Sequence, residues 1–206
     1  MVEPSGRIPA EYAELARQLR GAEDRLFPLA MIDADRYRRA VRLVGLLARQ
    51  LTETCASLDD LAAAGPDTRF RLTVIACTEG ISLDGLDPNL VADAAMSHRF
   101  RDLLAEQATQ LRQQRIERAR AAGLAWAILE EPDPAAWGTG AARWVEVHVA
   151  TGAVLVRSVT ADPNTGTPTF RIEVLSEVGS RVEEFTDRAA WLAAIDRIRI
   201  EIESES

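Results

Sequence analysis

Hydrophobic residues recur every three or four positions through most of residues 1–122, a spacing that is typical of amphipathic helices. The clearest stripe predicts a long helix capped by Asp33 or Asp35, since aspartate is favoured at helix N-termini. Its apolar positions are Tyr37, Val41, Val44, Leu47, Leu51 and Cys55. Pro28 is expected to interrupt the preceding helix, because proline lacks a backbone donor and clashes with the turn before it.

A shorter helix and a strand are predicted next. Ser57 and Asp60 have the spacing of a capping box at the start of a helix, and Gly65–Pro66 is expected to end it. In the run RFRLTVIAC, residues 69–77, apolar and polar residues alternate, which predicts a strand. Two further helices are predicted in this part of the chain, at residues 90–96 and 100–122.

From residue 123 onward, two-residue alternation predicts an antiparallel β-meander of four or five strands. A helix follows, capped by Thr186 or Asp187, and the tail RIRIEIE is assigned to it because no glycine or proline separates them. The predicted fold class is therefore α+β. A mostly helical region with one strand near 69–77 occupies residues 1–122, and a meander covered by a C-terminal helix occupies residues 123–206. The two regions form either two domains or one continuous domain.

Alternate residues of the predicted strand at 142–150 differ in character. One face carries three valines, at 145, 147 and 149, and the other carries Trp144, Glu146 and His148. Because a valine-rich face needs a cover, we expect the C-terminal helix to pack on it. The N-terminal helices are then expected to cover the face of Trp144. If that face is open instead, Trp144 is an anchor for a partner.

Composition limits where the protein works and what it binds. The 206-residue chain has no apolar run long enough to span a bilayer, and its first residues lack the pattern of a signal peptide. Two cysteines are too few for a disulfide framework. We therefore expect a cytoplasmic protein without a membrane partner. A net charge of −8 argues against nucleic acid as a partner, because that binding depends on neutralising phosphates.

The 24 basic residues are all arginine. Together with abundant alanine, this is typical of a bacterium with a GC-rich genome. The alternative is selection against lysine modification, because arginine keeps the charge but cannot form an isopeptide bond. In either case, Schiff-base chemistry on a lysine side chain is excluded.

Catalytic motifs of high specificity are missing from the sequence. It has no GxGxxG, phosphate-binding loop, HExxH, GxSxG or CxxC motif, and we predict neither a cofactor nor a metal site. The best candidate nucleophile is Cys77, at the end of the predicted strand, where His98 or His148 could activate it. The alternative is that Cys77 belongs to the core, since free cysteines are among the most buried residues.

A basic patch stands out on this acidic protein. Arg112, Arg115 and Arg118 recur every three residues on a predicted helix. They could bind a phosphate or the carboxylates of a partner, as arginine does bidentately. The alternative is a solvated helix face paired with nearby Glu106 and Glu117.

These patterns favour a non-enzymatic interaction protein: an adaptor, an accessory subunit or an immunity-type binder. A protein partner is expected, bound through Arg112, Arg115, Arg118 and Trp144, and a homo-oligomer is also compatible with the sequence. One alternative is a cysteine-dependent hydrolase or transferase that uses Cys77 with a histidine. The other is a small-ligand sensor.

Overall fold

The computed structural model describes residues 8–132, 141–162 and 164–204. The fold is α+β, as predicted: a helical N-terminal part, a five-stranded antiparallel sheet and a C-terminal helix. The chain divides into two compact units, Met1–Thr109 and Gln110–Ser206. Residues 1–7, on which part of the signal-peptide expectation depends, lie outside the described residues.

The helical unit begins with a short 3-10 helix, Ala10–Tyr12. It is followed by α1 (Ala13–Leu19), α2 (Ala22–Ile32), α3 (Ala34–Thr54), α4 (Leu58–Thr78) and α5 (Pro88–Ala121), which extends beyond the unit's last residue. Asp33 caps α3 by accepting hydrogen bonds from the backbone N–H groups of Asp35 and Arg36, at 3.1 and 3.0 Å. The predicted capping box of Ser57 and Asp60 is present at the start of α4.

The core of the helical unit is formed mainly by α3, α4 and α5. Its fully buried large side chains include Leu43, Leu47, Leu51, Leu58, Leu61, Leu72, Val91 and Leu103. Arg99 is also buried, and its guanidinium donates to the carbonyl oxygen of Cys55 at 3.0 and 2.9 Å. Because Cys55 is the C-cap of α3, these bonds satisfy a carbonyl that the end of the helix leaves open.

The strand predicted at residues 69–77 is wrong, because these residues lie in α4. Gly65–Pro66 does not end a helix, and Pro28 likewise lies inside α2. A proline inside a helix costs about 3 kcal/mol. In α4 that cost is offset by the burial of core residues on both sides of Pro66, such as Leu61 and Leu72.

The two helices predicted at residues 90–96 and 100–122 are one helix, α5. Residues 97–99, between the two predicted helices, lie inside it. Arg99 is buried and held by its bonds to Cys55. A polar residue with satisfied hydrogen bonds can therefore occupy a buried helical position without ending the helix.

The second unit contains a regular meander. Its strands are β1 (Trp126–Glu130), β2 (Ala141–His148), β3 (Val154–Ala161), β4 (Pro168–Ser176) and β5 (Gly179–Phe185), which lie in sequence order. The helix α6 (Arg188–Ser204) includes the tail RIRIEIE, residues 197–203, as predicted. Asp187 caps it by accepting from the backbone N–H of Ala190 at 2.8 Å.

The covers of the two sheet faces are opposite to those expected. Helix α6 packs on the face of Trp144, where Trp191, Ile195 and Ile198 meet Leu155 and other apolar strand residues. The valine face is covered instead by the last turns of α5. There, Ile116 and Ala119 pack with Ala127 and Val147. Because of these contacts, the boundary between the units falls within α5, whereas the sequence predicts it near residue 122.

Candidate functional site

Helix α4 carries two apolar stripes on opposite sides. The inward stripe is buried in the core and consists of Leu61, Ala64, Thr68, Leu72 and Ala76. The outward stripe is exposed and consists of Ala63, Pro66, Phe70, Val74 and Cys77, which we call the α4 ridge. Successive ridge residues are three or four positions apart, so they form one continuous row along the helix.

The centre of the α4 ridge is strongly exposed. Phe70 has 73% of its surface accessible and Val74 has 47%, whereas Leu72 between them has 0%. The ridge extends about 21 Å from Ala63 to Cys77 at 1.5 Å per residue. An apolar row of this length on the outside of a helix leaves hydrophobic surface in contact with water.

The two stripes also explain the erroneous strand prediction. Each stripe repeats about every four residues, and the two are offset by two residues. Apolar residues therefore fall at every second position from Phe70 to Ala76, which is the alternation typical of a strand. Sequence reasoning missed Phe70 and Val74 as functional candidates for this reason. Reading residues 58–78 at helical spacing reveals both stripes.

The sequence-predicted nucleophile Cys77 is exposed, at the C-terminal end of the ridge. His98 lies 3.5 Å from Glu23 and 3.5 Å from Arg101 through its ring nitrogens. Within the described residues, no hydrogen bond joins Cys77 to His98. The pairing of Cys77 with His98 or His148 therefore stays a prediction.

The predicted arginine patch lies beside β1. Arg112 is 3.7 Å from a carboxylate oxygen of Glu130, and Arg115 donates to the carbonyl oxygen of Leu129. Leu129 is the residue at which the register of β1 and β2 shifts, so its carbonyl falls at an irregularity in the ladder. The guanidinium of Arg118 is exposed and has no ion pair or hydrogen bond among the described residues.

A buried ion cluster lies between the sheet and α6. The carboxylate of Glu146, on β2, accepts hydrogen bonds from Arg157 on β3 and from Arg199 on α6. Only 3% of the Glu146 side chain is exposed. Burial lowers the pKa of the Arg157 guanidinium, an effect that Glu146 opposes and Arg199 reinforces. The cluster joins α6 to two central strands through charge as well as through apolar packing.

Tryptophan rings flank this ion cluster. The Arg157 guanidinium lies 5.5 Å from the ring centre of Trp144, and that of Arg199 lies 5.7 Å from the ring centre of Trp126. Trp144 is half-buried, and its ring centre also lies 6.2 Å from that of Trp191 of α6, with the two rings tilted at 54°. In this unit, Trp144 therefore packs between β3 and α6.

His148, the last residue of β2, is buried with 3% of its surface exposed. Its Nδ1 lies 2.9 Å from the hydroxyl of Thr151 and 3.4 Å from the backbone nitrogen of the same residue. Its ring packs at 5.1 Å on Trp126. The structure thus places His148 in the core of the second unit, at the turn between β2 and β3.

The described residues contain no group of three or more His, Cys, Asp or Glu side chains placed to hold a metal ion. Within the same residues, no helix has the length and hydropathy needed to cross a bilayer. Comparison with models of protein families, with curated proteins and with solved structures finds no match to this chain. The fold itself defines the class of the chain as α+β.

Proposed function

We propose that this chain is a non-enzymatic binding protein of the cytoplasm that holds a protein partner on the α4 ridge. The observation that carries the proposal is the exposure of Phe70 and Val74 in one continuous apolar row. Phenylalanine is among the residues most often buried. Aromatic residues are enriched at the centres of protein interfaces, where they contribute most of the binding energy.

The shape of the ridge supports a macromolecular partner. Small-molecule sites are concave and surround their ligands, whereas the ridge is the convex outer side of a helix. Its residues are spaced by three, four, four and three positions. Rows with this spacing pack into the grooves of a second helix. We therefore assign the contact to an amphipathic helix of the partner that lies along α4.

The net negative charge of the chain and one carboxylate beside the ridge support a basic rim on that helix, while Arg69 adds a single exposed positive charge next to Phe70. Asp67 is exposed one turn before Phe70 and has no ion pair among the described residues. The whole chain has a net charge of −8. Attraction between opposite charges speeds the association of two proteins, and salt screens this attraction. The proposed partner helix therefore carries arginine or lysine beside its apolar face, and its affinity falls as the salt concentration rises.

The alternative of a cysteine-dependent hydrolase or transferase has less support. Nucleophilic catalysis needs a base within hydrogen-bond reach of the thiol. In the described part of the helical unit, Cys77 has no such contact with His98, which lies near Glu23 and Arg101. The position of Cys77 on the ridge fits a contact residue better.

The experiment uses Cys77 as a chemical handle, because Cys55 is buried. A photo-activated benzophenone is attached to Cys77, the protein is irradiated in an extract of its native host, and the cross-linked protein is identified. That partner is then purified, and its affinity is measured for the wild type, Phe70→Asp and Phe27→Asp. Phe27 is the matched control, because it is 61% exposed on α2 and lies outside the ridge.

We expect Phe70→Asp to weaken binding at least about tenfold, as loss of an interface hot spot does, while Phe27→Asp binds like the wild type. Wild-type affinity of Phe70→Asp, or the lack of any cross-linked protein, would contradict the proposal. If Arg118→Gln weakens binding and Phe70→Asp does not, the surface is the arginine helix predicted from the sequence.

A further inference from the structure

A second candidate site, independent of the α4 ridge, lies in the unit formed by residues 110–206. It is an open cleft of about 510 Å³ between the end of α5 and the turn that follows β2. Arg120, His148 and Glu203 contribute its polar groups, and Leu124 and Val149 are among its apolar lining. The function proposed above makes no use of this cleft.

Backbone hydrogen bonds hold the C-terminal end of α5, which forms one side of the cleft. Gly123 follows the helix with a φ of 68°, in the left-handed region that favours glycine. The backbone N–H of Leu124 then donates to the carbonyl of Ala119 at 2.9 Å, and that of Gly123 donates to Arg120 at 3.1 Å. These two bonds form a Schellman motif. This ordered helix end positions both Arg120 and Leu124 at the cleft.

His148 supplies a fixed hydrogen-bond donor. Its Nδ1 faces the backbone N–H and the hydroxyl of Thr151, and that hydroxyl also accepts from the N–H of Ala153 at 3.3 Å. Nδ1 is therefore the acceptor, and in the neutral ring the proton is on Nε2. Nε2 has no hydrogen bond among the described residues. His148 lines the cleft, where Nε2–H is the donor that its ring can offer to a ligand.

Arg120 and Glu203 add one positive and one negative charge to the cleft lining, besides the Nε2–H donor of His148. The guanidinium of Arg120 is exposed and has no ion pair or hydrogen bond among the described residues. Glu203, from the last turn of α6, accepts a hydrogen bond from Nε1 of Trp126 at 2.7 Å through one carboxylate oxygen. Its second oxygen has no such bond among the described residues. Arg120 and Glu203 are not within ion-pair distance of each other, so each charge remains available to a ligand.

We propose that this cleft binds a small zwitterion, an α-amino acid with an apolar side chain. Arg120 and Nε2–H of His148 donate to the ligand carboxylate, since arginine binds carboxylates well. Glu203 accepts from the ligand ammonium group. The apolar side chain of the ligand lies against Leu124 and Val149, and 57% of the surface of Leu124 is exposed. A ligand with only one of the two charges leaves either Arg120 or Glu203 unpaired.

The test follows the imidazole resonances of His148 by NMR while leucine, isoleucine, valine or phenylalanine is added to the full-length protein. Two analogues of leucine separate its charges: isocaproate lacks the amine and isoamylamine lacks the carboxylate. Arg120→Gln and Glu203→Gln remove one protein charge each, and glutamine at position 203 can still accept from Trp126. Arg118→Gln, on the same helix, is the matched control because Arg118 does not line the cleft.

We expect at least one of the four amino acids to shift the His148 signals in a saturable way. Arg120→Gln and Glu203→Gln should each weaken that binding about tenfold or more, both leucine analogues should bind at least tenfold more weakly than leucine, and Arg118→Gln should bind like the wild type. The proposal is overturned if none of the amino acids shifts the signals, if isocaproate binds as tightly as leucine, or if Arg120→Gln binds like the wild type.

Discussion

Phe70 and Leu72 are two positions apart on α4 and lie on opposite sides of the helix, with 73% and 0% of their surfaces exposed. A separation of two residues turns a helix by about 200°, so neighbours of this kind cannot share a face. In a strand the same two residues would share one face. This relationship defines the α4 ridge and separates its proposed binding role from the folding role of the inward stripe.

The two sides of α4 should respond differently to truncation. Leu72→Ala should destabilise the protein by about 2–5 kcal/mol, because it leaves a cavity among fully buried leucines. Phe70→Ala should change the free energy of unfolding by less than about 0.5 kcal/mol, as surface substitutions usually do. Urea unfolding followed by circular dichroism measures both. An equal loss of stability in the two variants would mean that Phe70 belongs to the core.

Glu146→Gln should strongly destabilise the second unit. It leaves Arg157 and Arg199 side by side without their shared carboxylate, and removal of one partner from a buried ion pair costs about 3–5 kcal/mol. The matched control is Glu184→Gln, because the Glu184 side chain is 63% exposed and its pair with Arg171 is long, at 4.0 Å. An exposed pair of this kind contributes less than about 1 kcal/mol.

Tryptophan fluorescence can follow the unfolding of the second unit separately. All four tryptophans of the sequence fall within residues 110–206, whereas both tyrosines fall within residues 1–109. Tryptophan fluorescence during urea unfolding therefore reports on the second unit alone. If Glu146→Gln unfolds at the same urea concentration as Glu184→Gln, the ion cluster does not stabilise the docking of α6.

Substitutions of Arg115 and Arg118 should affect stability differently, although the two residues are one turn apart on α5. Arg115→Met removes a hydrogen bond to the bulged carbonyl of Leu129, and a bond of this kind contributes about 1 kcal/mol. Arg118→Met removes no side-chain hydrogen bond or ion pair with a described residue and should leave stability unchanged. The tryptophan-fluorescence unfolding curve tests both variants. A stability loss in Arg118→Met that matches the loss in Arg115→Met would contradict this assignment.

The N-cap of α3 should be sensitive to acid. A hydrogen bond from the backbone N–H of Arg36 is the main cause that holds the pKa of Asp33 below its ordinary value, and the charge of Arg36 adds to it. The folded state therefore favours the carboxylate. This stabilisation is fully present above the unfolded pKa of about 3.9 and is lost as the pH falls through the lower folded value.

Asp33→Asn isolates that charge, because asparagine can also cap a helix. The wild type should be more stable than Asp33→Asn at neutral pH, and the difference should shrink to nothing as the pH falls below the folded pKa of Asp33. Urea unfolding at a series of pH values, followed by circular dichroism, measures this difference. A stability difference that does not change with pH would show that the charge of Asp33 contributes nothing.

Much of the fold is determined by the sequence alone. The capping residues Asp33, Ser57 and Asp187 mark the starts of three helices, because their side chains satisfy local backbone donors. The alternating strands of the meander are also read from local periodicity, and the tail is assigned to α6 because no glycine or proline separates the two. Each of these features depends on residues only a few positions apart.

Only the tertiary structure decided which apolar residues of α4 are buried and which element covers each face of the sheet. Residues 69–77 fit a strand or a two-sided helix equally well by pattern, and only packing of Leu72 and Ala76 into the helical core selects the helix. Packing against α6 likewise places Trp144 and Glu146 on a covered face of the sheet. The physical reason is that burial depends on distant neighbours, whereas periodicity records only which residues of one element can share a face.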